Sequence, residues 1–155
     1  MNIPEEILTE IYRHARSEFP NECCGWLTGP NDEETVVGVR RATNAYEPDS
    51  HPTAHDRTAE TAYVIDGPDL LELNRTLDGD EPPRVIYHSH PNGRAYFSET
   101  DRRVATDPWG DGPAYPVKQL VVGIDANRVV EARLFQWDDS VKGFVAVSEF
   151  PGAEI

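Results

Sequence analysis

The chain is 155 residues long, which fits one domain with a core of its own. It carries 28 acidic residues against 14 basic ones, a formal charge of −14, and this excludes a sequence-independent nucleic-acid binder, because phosphate contacts need clustered Lys and Arg. No apolar run approaches the roughly 18 residues of a membrane span, and the Met1-Asn2-Ile3-Pro4 start lacks the basic and apolar regions of a signal peptide, so a soluble, cytoplasmic protein is expected.

Residues 3–19 read as an amphipathic helix. Ile3, Ile7, Leu8, Ile11, Tyr12, Ala15 and Phe19 recur at helical spacing, Pro4, Glu5 and Glu6 suit a first turn, and Pro20 stops it. His14 is expected on its solvent side. Residues 23–28, closed by Gly29-Pro30, read as a strand, and 34–42 as a second, alternating through Val37 and Val39. The polar stretch 44–60, with Pro48 and Pro52, reads as a loop, and 62–65 as a short strand. A helix is expected over 68–77, with Asp66 near its cap and Leu70, Leu71, Asn74 and Leu77 on one face. A turn at 79–83 leads into a strand at 84–88. Residues 98–106 should form a short helix capped by Ser98, and 107–116, rich in Gly and Pro, a loop. Strands are expected at 118–124, 129–137 and 141–147. This order predicts an α/β fold, a single domain over 1–155 with a mixed, largely antiparallel sheet flanked by helices.

The two cysteines, Cys23 and Cys24, are adjacent, which excludes a disulfide scaffold. As neighbours on a strand they point to opposite faces and read as small core residues rather than as soft metal ligands.

Chemistry concentrates in His88-Ser89-His90-Pro91, followed after seven intervening residues by Ser98-Glu99-Thr100-Asp101. On a strand, His88 and His90 present both imidazoles on one face, and Pro91 ends the strand where solvent can enter. Two imidazoles and a carboxylate are a common ligand set for catalytic zinc, and Asp101, one turn into a helix, can supply the carboxylate. Ser98 with Asp101 is equally a helix-capping pair, and a cap would also aim Asp101. His51 and His55 share helical spacing but lie in the expected loop without a carboxylate partner, so they read as solvated. Tyr96, Phe97, Trp109 and Tyr115 suit either contact with an extended substrate or closure of the core beneath the site.

The string His88-x-His90, seven residues, Ser98-x-x-Asp101 resembles the JAMM motif of the MPN-plus (Mov34/PAD-1) metalloproteases. Pro20-Asn21-Glu22-Cys23-Cys24-Gly25 and the run from Tyr115 through Gly123 are similar to segments of small stand-alone prokaryotic members. The resemblance implies an MPN/cytidine-deaminase-like fold and one Zn²⁺ per chain on His88, His90 and Asp101. It implies that Glu22 holds and deprotonates the metal-bound water and that Ser98 steadies the oxyanion. The implied partner is a ubiquitin-like or sulfur-carrier protein with a flexible C-terminal tail, with no nucleic acid or membrane involved. Two reactions fit: removing a small modifier from target lysines, or trimming a sulfur-carrier tail, which the short chain favours slightly. The alternatives are an MPN-like scaffold that cleaves nothing and a zinc hydrolase of a small amide.

Overall fold

A computed structural model describes residues 1–45 and 63–155. The elements run α1 (Glu5–Glu18), β1 (Cys24–Thr28), β2 (Gly38–Ala42), α2 (Gly67–Thr76), β3 (Pro83–His90), α3 (Glu99–Ala105), β4 (Lys118–Ile124), β5 (Val129–Asp138) and β6 (Gly143–Ala153). Among the described residues, six strands form one sheet in the order β2-β1-β3-β4-β5-β6, in which β3 and β4 are the parallel pair. The mixed, largely antiparallel sheet with flanking helices is as expected. Its centre is β3, and the crossover from β3 to β4 carries α3.

Alternation along the central strands sends side chains to two cores. On one face α1 lays Ile7, Ile11, Tyr12 and Ala15 over Cys23, Leu27, Val85, Tyr87, Leu120 and Val122. On the other, Cys24, Trp26 and Ile86 meet Leu73 of α2, and Val121 and Phe135 meet Phe97. Cys23 and Cys24 therefore lie on opposite faces, both buried and free, as expected of small core residues.

Several boundaries and faces differ from expectation. β2 begins only at Gly38, because Thr35 bridges to Asn2 and Val36 turns into the core. β6 starts past Lys142, which takes φ 51°, and runs on to Ala153 as an edge strand that tolerates Pro151. α2 does not dock through the expected leucine face: Leu73 is buried while Leu71 is 69% exposed. The reason is electrostatic, since Arg40 of β2 grips Asp69 and Glu72 at 2.8 Å each and turns that side of the helix to the sheet. Asp66 sits at the cap position without a side-chain cap bond. Of the 62–65 stretch, Ile65 forms an isolated bridge to Asn44, while His51, His55 and most of the 44–60 stretch lie outside the described residues.

His14, expected at the surface, is 3% exposed. Its Nδ1 lies 2.7 Å from the hydroxyl of Tyr87, a residue 73 positions away. Burial, joined by the charge of Arg41 and opposed by that of Glu10, pushes the imidazole down from 6.5 to about 4. The unfolded chain takes up this proton near pH 6.5 and the folded chain does not. Stability is therefore full above pH 6.5 and falls towards about pH 4, by at most about 3 kcal/mol from this group. Urea unfolding at pH 4.5 and 7.5 checks this. The difference between the two should shrink in His14→Gln, and an unchanged difference would remove His14 as its source.

Candidate metal centre

The period of two on β3 sets His88 and His90 on one sheet face, shared with Cys24 and Val121, the residues paired with His88 on either side. Ser89 faces the other way. Its hydroxyl accepts from the Cys23 N–H at 2.8 Å, and its own N–H donates to the Cys23 carbonyl at 3.1 Å. These two bonds hold the entry to β1, and so Glu22, beside the histidines. Asn44 braces the same point: its side-chain amide donates to the Glu22 carbonyl at 2.9 Å while its Oδ1 accepts from the Val64 N–H at 3.0 Å.

Asp101 arrives from the first turn of α3. The Asp101 N–H donates to Ser98 Oγ at 3.1 Å, and the Ser98 N–H donates back to Asp101 Oδ2 at 3.0 Å, a complete capping box. The cap and the ligand-like placement coexist, because Oδ2 also faces both histidines. His88 Nε2, His90 Nε2 and Asp101 Oδ2 form a triangle with sides of 3.1 Å. Exposure is 0%, 5% and 7% for these three residues, and 3% for Glu22, so all four are shielded from bulk solvent. The Glu22 carboxylate and the two imidazoles lie within 4.8 Å of one another.

Two imidazole nitrogens, each a donor or an acceptor according to tautomer, and one carboxylate oxygen at mutual distances of 3.1 Å cannot all pair fully with one another, whereas a cation at their centre serves all three. Nitrogen and oxygen ligands at about 2.0–2.1 Å around a tetrahedral ion stand about 3.3 Å apart, so the triangle fits zinc. The electrostatics agree. Burial alone raises the Asp101 carboxyl, but the two imidazoles outweigh it and hold the group far below the usual carboxylate range. Burial lowers both imidazoles; for His88 the Asp101 charge prevails and lifts it above its ordinary value, while His90 stays below.

All five residues singled out from the sequence, Glu22, His88, His90, Ser98 and Asp101, thus gather at one end of the central strand. Others were not legible there. Tyr63 stacks on His88 with ring centroids 4.6 Å apart, and burial pushes its phenol well above the usual value, with Asp101, Cys24 and Glu22 adding to the effect. Nothing in the local sequence marks Tyr63 or Asn44, which reach the site from opposite ends of the 44–60 stretch. Of the aromatics, Phe97 packs on Phe135 and Phe144, closing the core. Tyr96 is half-exposed with its ring 4.8 Å from that of His90, and Trp109 is 81% exposed. Burial pushes the Cys23 thiol up to about 12, which disfavours a thiolate ligand.

A family profile described as prokaryotic homologs of the JAB domain matches residues 4–137. The CysO-cysteine peptidase of Mycobacterium tuberculosis is 34% identical over 108 residues, covering 68% of this chain and 66% of that protein. The desampylase of Haloferax volcanii is 29% identical over 106 residues, covering 67% of this chain and 68% of that protein. The chain thus spans just under two thirds of the mycobacterial relative's length. Two solved structures share the fold. A protein of Desulfitobacterium hafniense superposes with a TM-score of 0.67 at 21% identity, over 94% of this chain and 88% of its own. One of Salinibacter ruber gives a TM-score of 0.61 at 23% identity, over 96% and 89%. Since the profile covers nearly every element that builds and supports the buried triangle, this chain belongs to the prokaryotic JAB-domain family.

Proposed function

We propose that the chain is a zinc-dependent peptidase or isopeptidase, a single domain over 1–155 acting in the cytoplasm on amide bonds at the C-terminal tail of ubiquitin-like or sulfur-carrier proteins. The observation that carries this reading is the buried triangle of two imidazoles and one carboxylate with 3.1 Å sides and a second carboxylate beside it. The names of the relatives, a peptidase and a desampylase, support the same chemistry.

His88, His90 and Asp101 would hold one zinc. Zinc bound there supplies a Lewis acid and lowers the pKa of a coordinated water to about 7. Glu22, beside the histidines but outside the triangle, receives the proton of the attacking water on its carboxylate and returns it to the leaving amine. Ser98 Oγ accepts from the Asp101 N–H and so keeps its own hydroxyl proton for the developing oxyanion. Beside the centre, Tyr63, Ile65, Leu70, Val104 and Tyr115 line an apolar groove of about 310 Å³ that could take apolar side chains of the tail.

The test uses zinc-loaded protein and the ubiquitin-like proteins of its own organism, each carrying a C-terminal extension, with masses read before and after incubation. The expected result is loss of the extension from at least one, blocked by a chelator. Unchanged masses across the set at full zinc occupancy would contradict the reading.

A further inference from the structure

The apolar groove lies on one side of the centre, and a second pocket, lined largely by charged side chains, lies on the other. It measures about 390 Å³ and is lined by Arg94, Ala95, Tyr96, Glu131 and Arg133. The sheet register places it. His88 pairs with Val121, which pairs with Arg133, and His90 pairs with Gly123, which pairs with Glu131. Glu131 and Arg133 thus share the histidines' face two strands away, about 10 Å across the sheet. The loop 91–97 bridges that gap, and Tyr96 belongs to both places, lining the pocket with its ring 4.8 Å from that of His90.

The loop is held firmly. Gly93 takes φ 80° and donates its N–H to the Ile124 carbonyl at 3.0 Å. The Arg94 N–H donates to Asn92 Oδ1 at 3.0 Å, and the Ala95 N–H to Glu131 Oε2 at 2.9 Å. Gly123 lies directly beneath, where an added Cβ would come within 2.7 Å of the Arg94 backbone. These contacts hold the backbone at Arg94 with little freedom.

Charge selects the ligand. Arg133 is partly compensated, with Glu131 at 3.8 Å and Glu149 at 3.4 Å. Arg94 makes no ion pair among the described residues, in a chain whose formal charge is −14. Arg94 is exposed, and an exposed guanidinium on a well-held loop next to the proposed hydrolytic centre is placed to receive a carboxylate or another small anion. Where the amide nitrogen being released belongs to a C-terminal amino acid, its α-carboxylate is two bonds from that nitrogen. Where the nitrogen is a lysine Nε, no carboxylate stands there.

We propose that Arg94, backed by Arg133, receives the free α-carboxylate of a single amino acid leaving from the tail of a ubiquitin-like or sulfur-carrier protein. This pocket makes the chain a remover of one C-terminal residue in preference to an isopeptidase. This rests on the peptidase reading above. The reaction is plain hydrolysis: water adds across the amide, its oxygen stays on the new tail carboxylate, and the leaving amino acid takes the proton.

The test compares three peptides carrying one tail: ending Gly-Gly-Ala as the free acid, the same peptide as its C-terminal amide, and Gly-Gly joined to a lysine Nε. Zinc-loaded wild type should favour the acid over both others by about 10- to 100-fold in kcat/KM, mainly through KM. Arg94→Ala should erase the preference for acid over amide while keeping zinc content and the rate on the amide, and Arg94→Lys should restore part of it. Equal cleavage of acid and amide by wild type, or an equal loss on both in Arg94→Ala, would overturn the carboxylate pocket and leave the peptidase reading standing. No cleavage of any of the three at full zinc occupancy would overturn both.

Discussion

Glu22→Ala should keep about one zinc per chain and lose about a thousandfold in kcat on a cleavable tail. The separation of the two effects follows from placement. The Glu22 carboxylate lies near the imidazoles but takes no part in the 3.1 Å triangle, so its removal leaves two nitrogens and one oxygen to hold the ion. It does remove the carboxylate to which the proposed mechanism gives the proton. Zinc content and steady-state rates measured on one preparation check this. Full activity would mean that another group is the base, and loss of zinc would mean that Glu22 is a ligand. The backbone supports of Glu22, from Ser89 through Cys23 and from Asn44, do not involve its side chain.

His88→Ala and Asp101→Asn should lose both metal and activity. Each breaks one corner of the 3.1 Å triangle, and what remains, Glu22 included, is more widely spaced and should hold a catalytic ion poorly. The pair of variants separates ligation from folding. Asn at 101 retains an acceptor for the Ser98 N–H and so keeps the cap on α3, while its charge is gone. In wild type, zinc at a hundredfold excess over its dissociation constant stabilises the fold by about 2.7 kcal/mol, raising Tm by about 5–10 °C. Neither variant should show that rise. A rise in Asp101→Asn equal to that of wild type would count against Asp101 as a ligand.

What the sequence reveals and what it hides divides along physical lines. The His-x-His pair, its shared face, the Ser98 cap and Asp101 are local matters, fixed by the strand period, the helix start and a seven-residue spacing, and the structure assembles them as read. The buried faces of α1 were legible for the same reason. α2 was not, because its seating depends on Arg40 finding Asp69 and Glu72 across 29 and 32 residues, and an ion pair leaves no hydrophobic period. His14 was hidden likewise: a polar residue on a helix reads as exposed until Tyr87 supplies a partner. Glu22 has no local signature beyond an apolar strand after it, and it was found through the family resemblance. The parts of the site that stayed dark, Asn44 and Tyr63, are those that the chain delivers from far off and holds by contacts with no motif.

X-ray absorption at the zinc edge of purified wild-type protein identifies the ion's ligands. The expected spectrum shows one zinc per chain with a shell of nitrogen and oxygen only, at about 2.0–2.1 Å, including two imidazoles. Zinc far below one per chain, or sulfur at about 2.3 Å from Cys23 or Cys24, would contradict it.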